Sequence, residues 1–380
     1  MHKGFRRFSV SLAVVLAAYF TWAGSGRKRP PVDVHLHIDT VYSMNTDAGK
    51  GNAVGVSPYM TPLDYASPQH FLNKLDGYMQ AAQQRGWLTP RTVVVFPEYI
   101  GSWLVAEGEK SAMFESQSIG KAMAVFIGSN FFSYLRDWFT APDEAEDKLL
   151  HSVFSSKGVP MARTYRQVFG DLARKYRVGI VAGSILLPNP VLDNGRIRIR
   201  MGPLYNVSAV FNPDGSIQPR LVRKSHPVAE EQPFVASGDA GDIPIFDLAA
   251  GKTAAMICAD AWFPESHQTL KGATVDLVAV PSYTRGEESM KGPWKGYSGY
   301  PMPPDTDSTD RGRLTLQEAW LKYAVPGRMR GTSVKNALMV SLRGRLWDQG
   351  SDGVCLGWTG DSLYVEPERK GASVVNLYLR

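Results

Sequence analysis

Short apolar runs, each followed by a polar residue or a turn, constrain the fold more than any other feature of this sequence. In the first half, helical patterns over 67–86 and 164–176 precede β-branched runs at 92–96 and 178–182. Later runs pair around turns such as 212–215, where Asn, Pro, Asp and Gly follow one another. Further strands are predicted at 32–38, 205–211, 216–224, 243–248, 252–258, 276–281, 337–342 and 362–366. Helices that alternate with strands early, and hairpins later, predict an α/β fold with mixed, helix-covered sheets.

Two long segments interrupt this alternation and are predicted to be insertions. Residues 101–160 carry an aromatic-rich stretch followed by an acidic one, and residues 283–313 are rich in glycine, proline and charge. Long excursions in compact domains often form lids or binding loops. Two interpretations stay open: a wall or lid over a substrate, or a surface decoration that packs against a partner subunit.

The excess of basic over acidic residues lies in the N-terminal segment of the chain. The formal net charge is +6, and residues 1–29 contain six basic residues and no acidic one. The rest of the chain therefore carries 36 basic and 36 acidic residues. A neutral body lacks the basic surface that binding to nucleic acid requires, so we expect no nucleic-acid partner.

Residues 1–30 have the layout of a secretory signal peptide or an N-terminal membrane anchor. A basic start precedes an uncharged stretch over 8–26, which ends with the small residues 23–25. That stretch is close to the ~20 residues that span a bilayer, and the positive charges on both flanks leave its orientation open. A buried core helix is the weaker alternative, because nothing apolar precedes the stretch. We expect an exported or membrane-anchored protein, with residues 31–380 as its second domain.

The cysteine content excludes a disulfide framework and gives no zinc-binding pattern. The chain has two cysteines, Cys258 and Cys355, and no paired Cys/His spacing. In an exported protein a disulfide between them is one alternative. The other is that Cys258 is a free thiol with a chemical role. We expect no metal.

Cys258 is the first candidate for chemistry, because an apolar strand delivers it to a strand end. It follows the apolar run 254–257, and Pro264 is well placed to open a helix after it. Strand ends of α/β sheets expose reactive groups. A thiol there can attack a carbonyl or nitrile carbon when a base or a cation assists it. By position alone, a buried core cysteine is the commoner case.

Glu98 and Lys224 also lie where predicted strands end. Glu98 follows three successive valines and then Phe96 and Pro97, at the rim of a buried strand, where a raised pKa would suit a general base. Lys224 ends the run 216–224, and its ammonium could stabilise an oxyanion. A salt-bridging glutamate and a solvated turn lysine are the ordinary alternatives. None of the three residues is specific alone.

Together, three motifs resemble the nitrilase superfamily of carbon–nitrogen hydrolases. The motifs are Phe96-Pro97-Glu98, Arg223-Lys224-Ser225-His226 and Cys258-Ala259-Asp260-Ala261-Trp262-Phe263-Pro264-Glu265. The last one, Cys-x-Asp-x-x-Phe-Pro-Glu after an apolar strand, is a family hallmark. Further matches to the family layout are Asn206, the turn at 212–215 and Gly360-Asp361-Ser362. The resemblance covers residues 32–367, outside the two insertions.

The resemblance implies a fold, an assembly and a set of roles. The fold would be a four-layer αββα sandwich that forms homo-oligomers through its sheet-covering helices and works without a metal or organic cofactor. Cys258 would form a thioester, Glu98 would transfer protons, and Lys224 with the backbone N–H of Ala259 would bind the oxyanion. Many relatives have a second glutamate shortly after the lysine; here Glu230 and Glu231 both lie near that spacing, and Glu231 is the candidate. The strand at 32–38 lacks the family's usual glutamine, which leaves the start of the domain open.

The residues beside the nucleophile favour amide hydrolysis. Nitrile-cleaving members of the superfamily usually show Cys-Trp-Glu, whereas Cys258-Ala259-Asp260 resembles amide and carbamoyl hydrolases. We therefore predict that the enzyme converts a small linear amide or carbamoyl compound into a carboxylic acid and ammonia or an amine. Three alternatives stay open: an N-acyltransferase that uses the same thioester, a nitrile hydrolase, and a catalytically silent binding relative.

Overall fold

The computed structural model describes residues 2–27, 34–360, 362–367 and 369–380, which form eight α-helices and twenty strands. The helices are α1 (His2–Gly24), α2 (Pro68–Gln84), α3 (Ser111–Phe114), α4 (Ile119–Ser129), α5 (Phe131–Phe139), α6 (Lys148–Tyr176), α7 (Pro264–Gln268) and α8 (Leu316–Tyr323). The strands are β1 (Ile38–Ser43), β2 (Asn52–Ser57), β3 (Tyr59–Met60), β4 (Thr92–Val95), β5 (Gly179–Val181), β6 (Ile185–Pro188), β7 (Val191–Asp193), β8 (Arg196–Arg198), β9 (Leu204–Ser208), β10 (Val210–Phe211), β11 (Val222–Arg223), β12 (Ile245–Leu248), β13 (Gly251–Ala255), β14 (Leu277–Ser282), β15 (Asn336–Ser341), β16 (Arg343–Leu346), β17 (Gln349–Asp352), β18 (Leu356–Thr359), β19 (Ser362–Val365) and β20 (Ala372–Tyr378).

Two six-stranded sheets carry the core. One has the order β1-β20-β2-β4-β5-β10, and the other has the order β12-β13-β14-β15-β18-β19. The first is mixed, because β2, β4 and β5 run parallel while β10 pairs with β5 in the antiparallel sense. The second is mixed as well, because β13 runs parallel to β14 and antiparallel to β12. One apolar core holds Val95 and Val181 of the first sheet together with Ala255 and Val340 of the second. The two sheets therefore pack against each other, and the predicted mixed α/β fold class is confirmed.

Helices and irregular segments cover the outer faces of both sheets. On the first sheet Phe71 of α2 and Phe96 both meet Phe169 of α6, with ring centroids 6.0 and 5.1 Å apart. On the second sheet Trp320 of α8 packs edge-on against Trp262 at 4.8 Å. A third, three-stranded sheet has the order β11-β9-β6 and supplies one of the strand ends described below.

Most of the elements predicted from the sequence are present, with two corrections in the predicted hairpin. The strand predicted over 216–224 is reduced to β11, and the strand predicted over 205–211 is divided into β9 and β10, which belong to different sheets. The helix predicted over 67–86 is α2, and the Ser67 hydroxyl caps it by accepting from the His70 N–H at 3.3 Å. The strand pair predicted around Gly251 is the antiparallel β12/β13 pair, and Gly251 has a φ of +123° that a side chain rarely tolerates. Pro264 opens α7 as expected.

The start of the second predicted helix was wrong. That helix was predicted over 164–176, but α6 begins at Lys148 and runs through Pro160. A proline inside a helix removes one hydrogen bond. Here Met161 and Tyr165 are fully buried just beyond it, so tertiary packing maintains the helix. The insertion at 101–160 is consequently helical for much of its length, with α3, α4, α5 and the first turns of α6.

The predicted first strand needs a correction as well. Val32 and Asp33 lie outside the described residues, and β1 begins only at Ile38. His37 has a φ of +50°, a left-handed conformation that interrupts an extended strand just before β1. The boundary expected between residues 30 and 31 and the matched residue Asp361 also lie outside the described residues.

Two further points concern the N-terminus and the cysteines. In the part of the chain that the structure describes, α1 is the one helix long and apolar enough to cross a membrane, and it is mostly exposed.

Cys258 and Cys355 are both free thiols, so the alternative of a disulfide between them is wrong. Cys355 is buried beside Ser57, with 3.0 Å between sulfur and hydroxyl oxygen.

Candidate active site

Three different sheets each deliver one polar side chain to the same place. Glu98 follows β4 of the first large sheet, Lys224 follows β11 of the three-stranded sheet, and Cys258 follows β13 of the second large sheet. The backbone N–H of Lys224 donates to the Asn206 carbonyl at 2.8 Å, which continues the pairing of β11 with β9. The convergence is thus set by sheet pairing rather than by local sequence.

A close backbone approach fixes the segment that carries Glu98. The Phe96 N–H donates to the Val181 carbonyl at 3.0 Å, and the Ser184 N–H donates to the Pro97 carbonyl at 3.2 Å. A Cβ at Gly183 would lie only 2.1 Å from the Pro97 carbonyl oxygen, and Gly183 has a φ of +67°. Only glycine fits at that position, because any side chain would displace the strand end that bears Glu98.

Lys224 lies between two buried carboxylates. Its Nζ is 2.8 Å from Glu98 Oε1 and 2.5 Å from Glu231 Oε2, and all three side chains are almost fully buried. Asn206 Nδ2 donates to Glu98 Oε1 at 2.9 Å and to Glu231 Oε1 at 3.1 Å, while the Tyr99 hydroxyl donates to Glu231. Buried charges persist in proteins only when they are paired and hydrogen-bonded, as these are.

Cys258 occupies a strained backbone position at the edge of this cluster. Its φ is +47°, a left-handed conformation that is uncommon for a residue with a side chain, and a 3-10 turn over Cys258–Trp262 starts there. The Ser282 hydroxyl donates to the Cys258 sulfur at 3.4 Å, and the Tyr283 carbonyl lies 3.8 Å from it. Strained residues of this kind concentrate at functional sites. Ala259, the next residue, also borders the adjoining cavity.

Asp260 ties the turn that carries Cys258 to the loop that carries Lys224. Its Oδ1 accepts from the backbone N–H groups of Ser225 and His226 at 2.9 and 2.8 Å. The His226 ring stacks on Phe263 with centroids 3.8 Å apart and nearly parallel planes. Asp260 and Phe263 of the hallmark motif therefore fix the position of Cys258 relative to Lys224.

Burial and neighbouring charges together set the protonation states of the site residues. Burial raises the pKa of Glu98 to about 7, against the opposing charge of Lys224, and the neighbouring charge of Glu231 adds to the increase. Burial and the charge of Glu98 raise the pKa of the Cys258 thiol to about 12. Burial acts to lower the pKa of Lys224, but the charges of Glu231 and Glu98 together outweigh it and hold that pKa well above its usual value. Near neutral pH the thiol and the ammonium are protonated, and Glu98 is poised to exchange a proton.

A cavity of about 900 Å³ opens beside Cys258. Glu231 and Tyr99 border it near the sulfur, and both predicted insertions contribute to its walls. Among the described residues, no group of three His, Cys, Asp or Glu side chains is arranged to hold a metal ion. The expectation that no cofactor is required stays a prediction.

The structure brings Glu98, Lys224, Cys258 and Glu231 together, while Ala259 adjoins them. Sequence reasoning missed Tyr99 as a site residue and gave Asn206 and Asp260 no role. For Asn206 the signal would have been an amide on a strand, buried with only hydrophobic neighbours in sequence. For Tyr99 no signal was available, because its φ of +62° and its contact with Glu231 are set by tertiary structure.

Comparison with known proteins shows the family of this chain. The family model for carbon–nitrogen hydrolases matches residues 53–299, more than half of the chain. A nitrilase from Pyrococcus abyssi is 37% identical over 112 residues, which are 30% of this chain and 37% of that protein. The probable hydrolase YhcX from Bacillus subtilis is 29% identical over 126 residues, 33% of this chain and 22% of that protein. The matched segments thus span well under half the length of either relative.

Solved structures resemble the whole fold. A double mutant of the amidase from Nesterenkonia sp. AN1, in complex with acrylamide, superposes with a TM-score of 0.52 at 14% identity, covering 88% of this chain and 93% of the amidase. At that identity the likeness concerns the fold. Together with the matching family model, it establishes that this chain belongs to the carbon–nitrogen hydrolase family and has the nitrilase-superfamily fold.

Proposed function

We propose that this protein hydrolyses the carbon–nitrogen bond of a linear amide or carbamoyl substrate through a thioester on Cys258. The observation that carries the proposal is the contact of one buried lysine with two carboxylates beside a strained cysteine that opens into a cavity. A structural ion pair alone would require neither the left-handed cysteine nor the cavity. An amide rather than a nitrile substrate is favoured by Ala259 and Asp260, which follow Cys258 where nitrile-cleaving members usually have Trp and Glu.

In the first half of the reaction Cys258 would be acylated. The sulfur forms a bond to the carbonyl carbon while its proton passes to Glu98, whose pKa of about 7 suits a general base at neutral pH. The carbonyl oxygen becomes an oxyanion, which the Lys224 ammonium and the Ala259 N–H stabilise. The carbon–nitrogen bond then breaks as Glu98 returns the proton to the leaving nitrogen, which departs as ammonia or an amine.

In the second half water would release the acid. Glu98 takes a proton from water as its oxygen bonds to the thioester carbon. The carbon–sulfur bond breaks and the Cys258 sulfur recovers a proton from Glu98. The net reaction is amide plus water giving carboxylic acid plus amine. Glu231 takes part through Lys224: it holds the ammonium in place and raises the pKa of Glu98.

Steady-state hydrolysis of an amide panel tests this proposal. We expect release of ammonia or amine by the wild-type protein and at least ~10³-fold less by Cys258→Ala, since no other group can form the thioester. Cys355→Ala is the matched control, because that thiol is buried away from the cavity. Cleavage that persists in Cys258→Ala would contradict the proposal. Formation of a new amide from an added amine, without acid, would identify acyl transfer instead.

We also propose that α1 is retained as an anchor rather than cleaved. The segment just after α1 is held by polar contacts: Arg27 pairs with the buried Glu109 at 3.2 Å, and Lys110 donates to the Ser25 carbonyl at 2.7 Å. Lys157 of α6 pairs with the same Glu109 carboxylate at 2.7 Å. A signal peptide that is removed has no need of such a binding site in the folded domain. Homo-oligomerisation stays a prediction.

The N-terminal peptide of the expressed protein tests retention. We expect membrane-fraction protein that still contains residues before Ala23, and faster proteolysis around residues 22–27 in Glu109→Ala, which leaves two cations without their carboxylate. Soluble protein whose N-terminus begins near residue 24 would contradict retention.

A further inference from the structure

We infer that the substrate amide carries a long apolar chain, which occupies an arm of the active-site cavity built by the first insertion. The inference rests on the proposed amide hydrolysis and names its substrate class. Three observations support it: the composition of the cavity wall, the size of the cavity, and the apolar surface that the same insertion forms with α1.

The cavity wall has a polar part and a hydrophobic part, which come from different segments of the chain. Near Cys258 it is formed by polar groups that include Glu231 and Tyr99. The arm is formed by side chains of α3, α4 and α6, all from the insertion, and every one of them is hydrophobic. Representative residues of the arm are Met113, Ile119, Met123, Phe126, Leu150 and Val153. The second insertion adds polar and charged side chains, such as Arg285, Glu287 and Lys295, to other parts of the wall, whereas the side chains of the arm offer no hydrogen-bond partner to an occupant.

The size of the cavity does not fit a small amide. At about 900 Å³ it lies near the upper end of the ~300–1,000 Å³ typical of sites that enclose drug-sized ligands. A two-carbon amide would leave most of the arm uncovered. Removing apolar surface from water is favourable, and apolar patches that stay exposed mark binding sites, so an arm lined by hydrophobic side chains is suited to an apolar occupant.

The same insertion joins the arm to an apolar surface. Helix α4, which walls the arm with Met123 and Phe126, contacts α1: the Tyr19 hydroxyl donates to the Gly128 carbonyl at 3.2 Å. The next helix, α5, exposes Phe132 and Phe139, and Phe20 of α1 stacks on Phe132 at 5.6 Å. A chain drawn from a bilayer that holds α1 would therefore meet α4 and α5 first.

Two substrate series test the inference with purified protein in mixed micelles. One series lengthens the acyl chain of a primary amide from two to twelve carbons, and the other lengthens an N-alkyl group on acetamide. For the series whose chain enters the arm, kcat/KM is expected to rise about fourfold per methylene, the equivalent of about 0.8 kcal/mol each, until the arm is filled. The rising series shows on which side of the carbonyl the chain lies.

A variant that fills the arm gives the second readout. Met123→Trp is expected to lower the ratio of long-chain to short-chain kcat/KM at least tenfold, and Leu150→Trp, on a different helix, should do the same if the first variant folds poorly. Met201→Trp is the matched control, because Met201 is 75% exposed and does not border the cavity. Its ratio should equal that of the wild type.

The outcomes separate the inference from the proposed function. Hydrolysis of short amides with kcat/KM flat or falling along both series would overturn the long-chain inference and leave amide hydrolysis standing. An equal ratio in Met123→Trp, Leu150→Trp and wild type would overturn it as well. Absence of hydrolysis at every length, with no covalent adduct on Cys258, would overturn both.

Discussion

Replacing Glu231 by glutamine should move the pH dependence of Cys258 reactivity towards acid. Glu231 is buried and shares Lys224 with Glu98, and its negative charge is one of the causes that raise the pKa of Glu98 to about 7. Glutamine removes the charge and still offers an oxygen to the Tyr99 hydroxyl. With less repulsion, Glu98 loses its proton at lower pH and can act as a base there.

The size of the shift follows from the geometry. Both carboxylates lie within 2.8 Å of Lys224 Nζ, so their nearest oxygens are about 5 Å apart or less. Two charges about 5 Å apart interact by about 3 kcal/mol at an effective dielectric constant of about 20. This corresponds to about 2 pKa units. Burial, rather than the charge of Glu231, is the largest cause of the raised pKa of Glu98, so we expect the midpoint to fall from about 7 to about 5–6.

The rate of Cys258 alkylation by iodoacetamide between pH 4.5 and 9 measures this shift without knowledge of the natural substrate. Peptide mass spectrometry confirms that Cys258, rather than Cys355, is labelled. Glu230→Gln is the matched control, because Glu230 is adjacent in sequence but exposed. An unshifted midpoint in Glu231→Gln, or an equal shift in Glu230→Gln, would refute the reasoning. A wild-type midpoint near the ~8.5 of a free thiol would refute the role of Glu98 as the base.

Substitutions of Lys224, Asp260 and Cys258 give three further predictions. Lys224→Met leaves Glu98 and Glu231 buried without their cation, and we expect a loss of about 3 kcal/mol in the free energy of unfolding, measured with urea. Asp260→Ala leaves two backbone N–H groups without an acceptor; we expect a loss of about 1–3 kcal/mol and a lower kcat, and wild-type values for both would contradict its positioning role. Cys258→Ser should keep the melting temperature and lose at least ~10²-fold in kcat, because the alcohol is a weaker nucleophile than the thiol in this environment.

Much of the fold could be predicted because short buried strands and capped helices leave local signals. The helical pattern over 67–86 and the three valines before Glu98 placed α2 and β4 to within two residues at each end. Glu98, Lys224 and Cys258 were found because each follows such a strand within a motif. Spacing alone did not separate Glu230 from Glu231. Burial does separate them, since Glu231 is 3% exposed and, of these two glutamates, is the one whose carboxylate contacts Lys224.

The remaining features depend on contacts between distant parts of the chain. Helix α6 continues through Pro160 because residues beyond it pack against the sheet, which local propensity does not reveal. Arg343 is fully buried against Glu366 with 2.5 Å between Nη2 and Oε2, a pairing across 23 positions that no periodic pattern indicates. The cavity walls come from segments without a strong repeat, so the shape of the site, and with it the substrate class, required the structure.

The most direct test of the account is mass spectrometry of the acylated enzyme. Wild-type protein, quenched in acid during turnover of an amide that it hydrolyses, is digested and its cysteine peptides are compared with those of Glu98→Gln. We predict an acyl mass on the peptide that contains Cys258, lost on treatment with hydroxylamine, and absent from Glu98→Gln and from the Cys355 peptide. Turnover with no acyl group on Cys258 at any quench time, or acylation at another residue, would contradict the central claim.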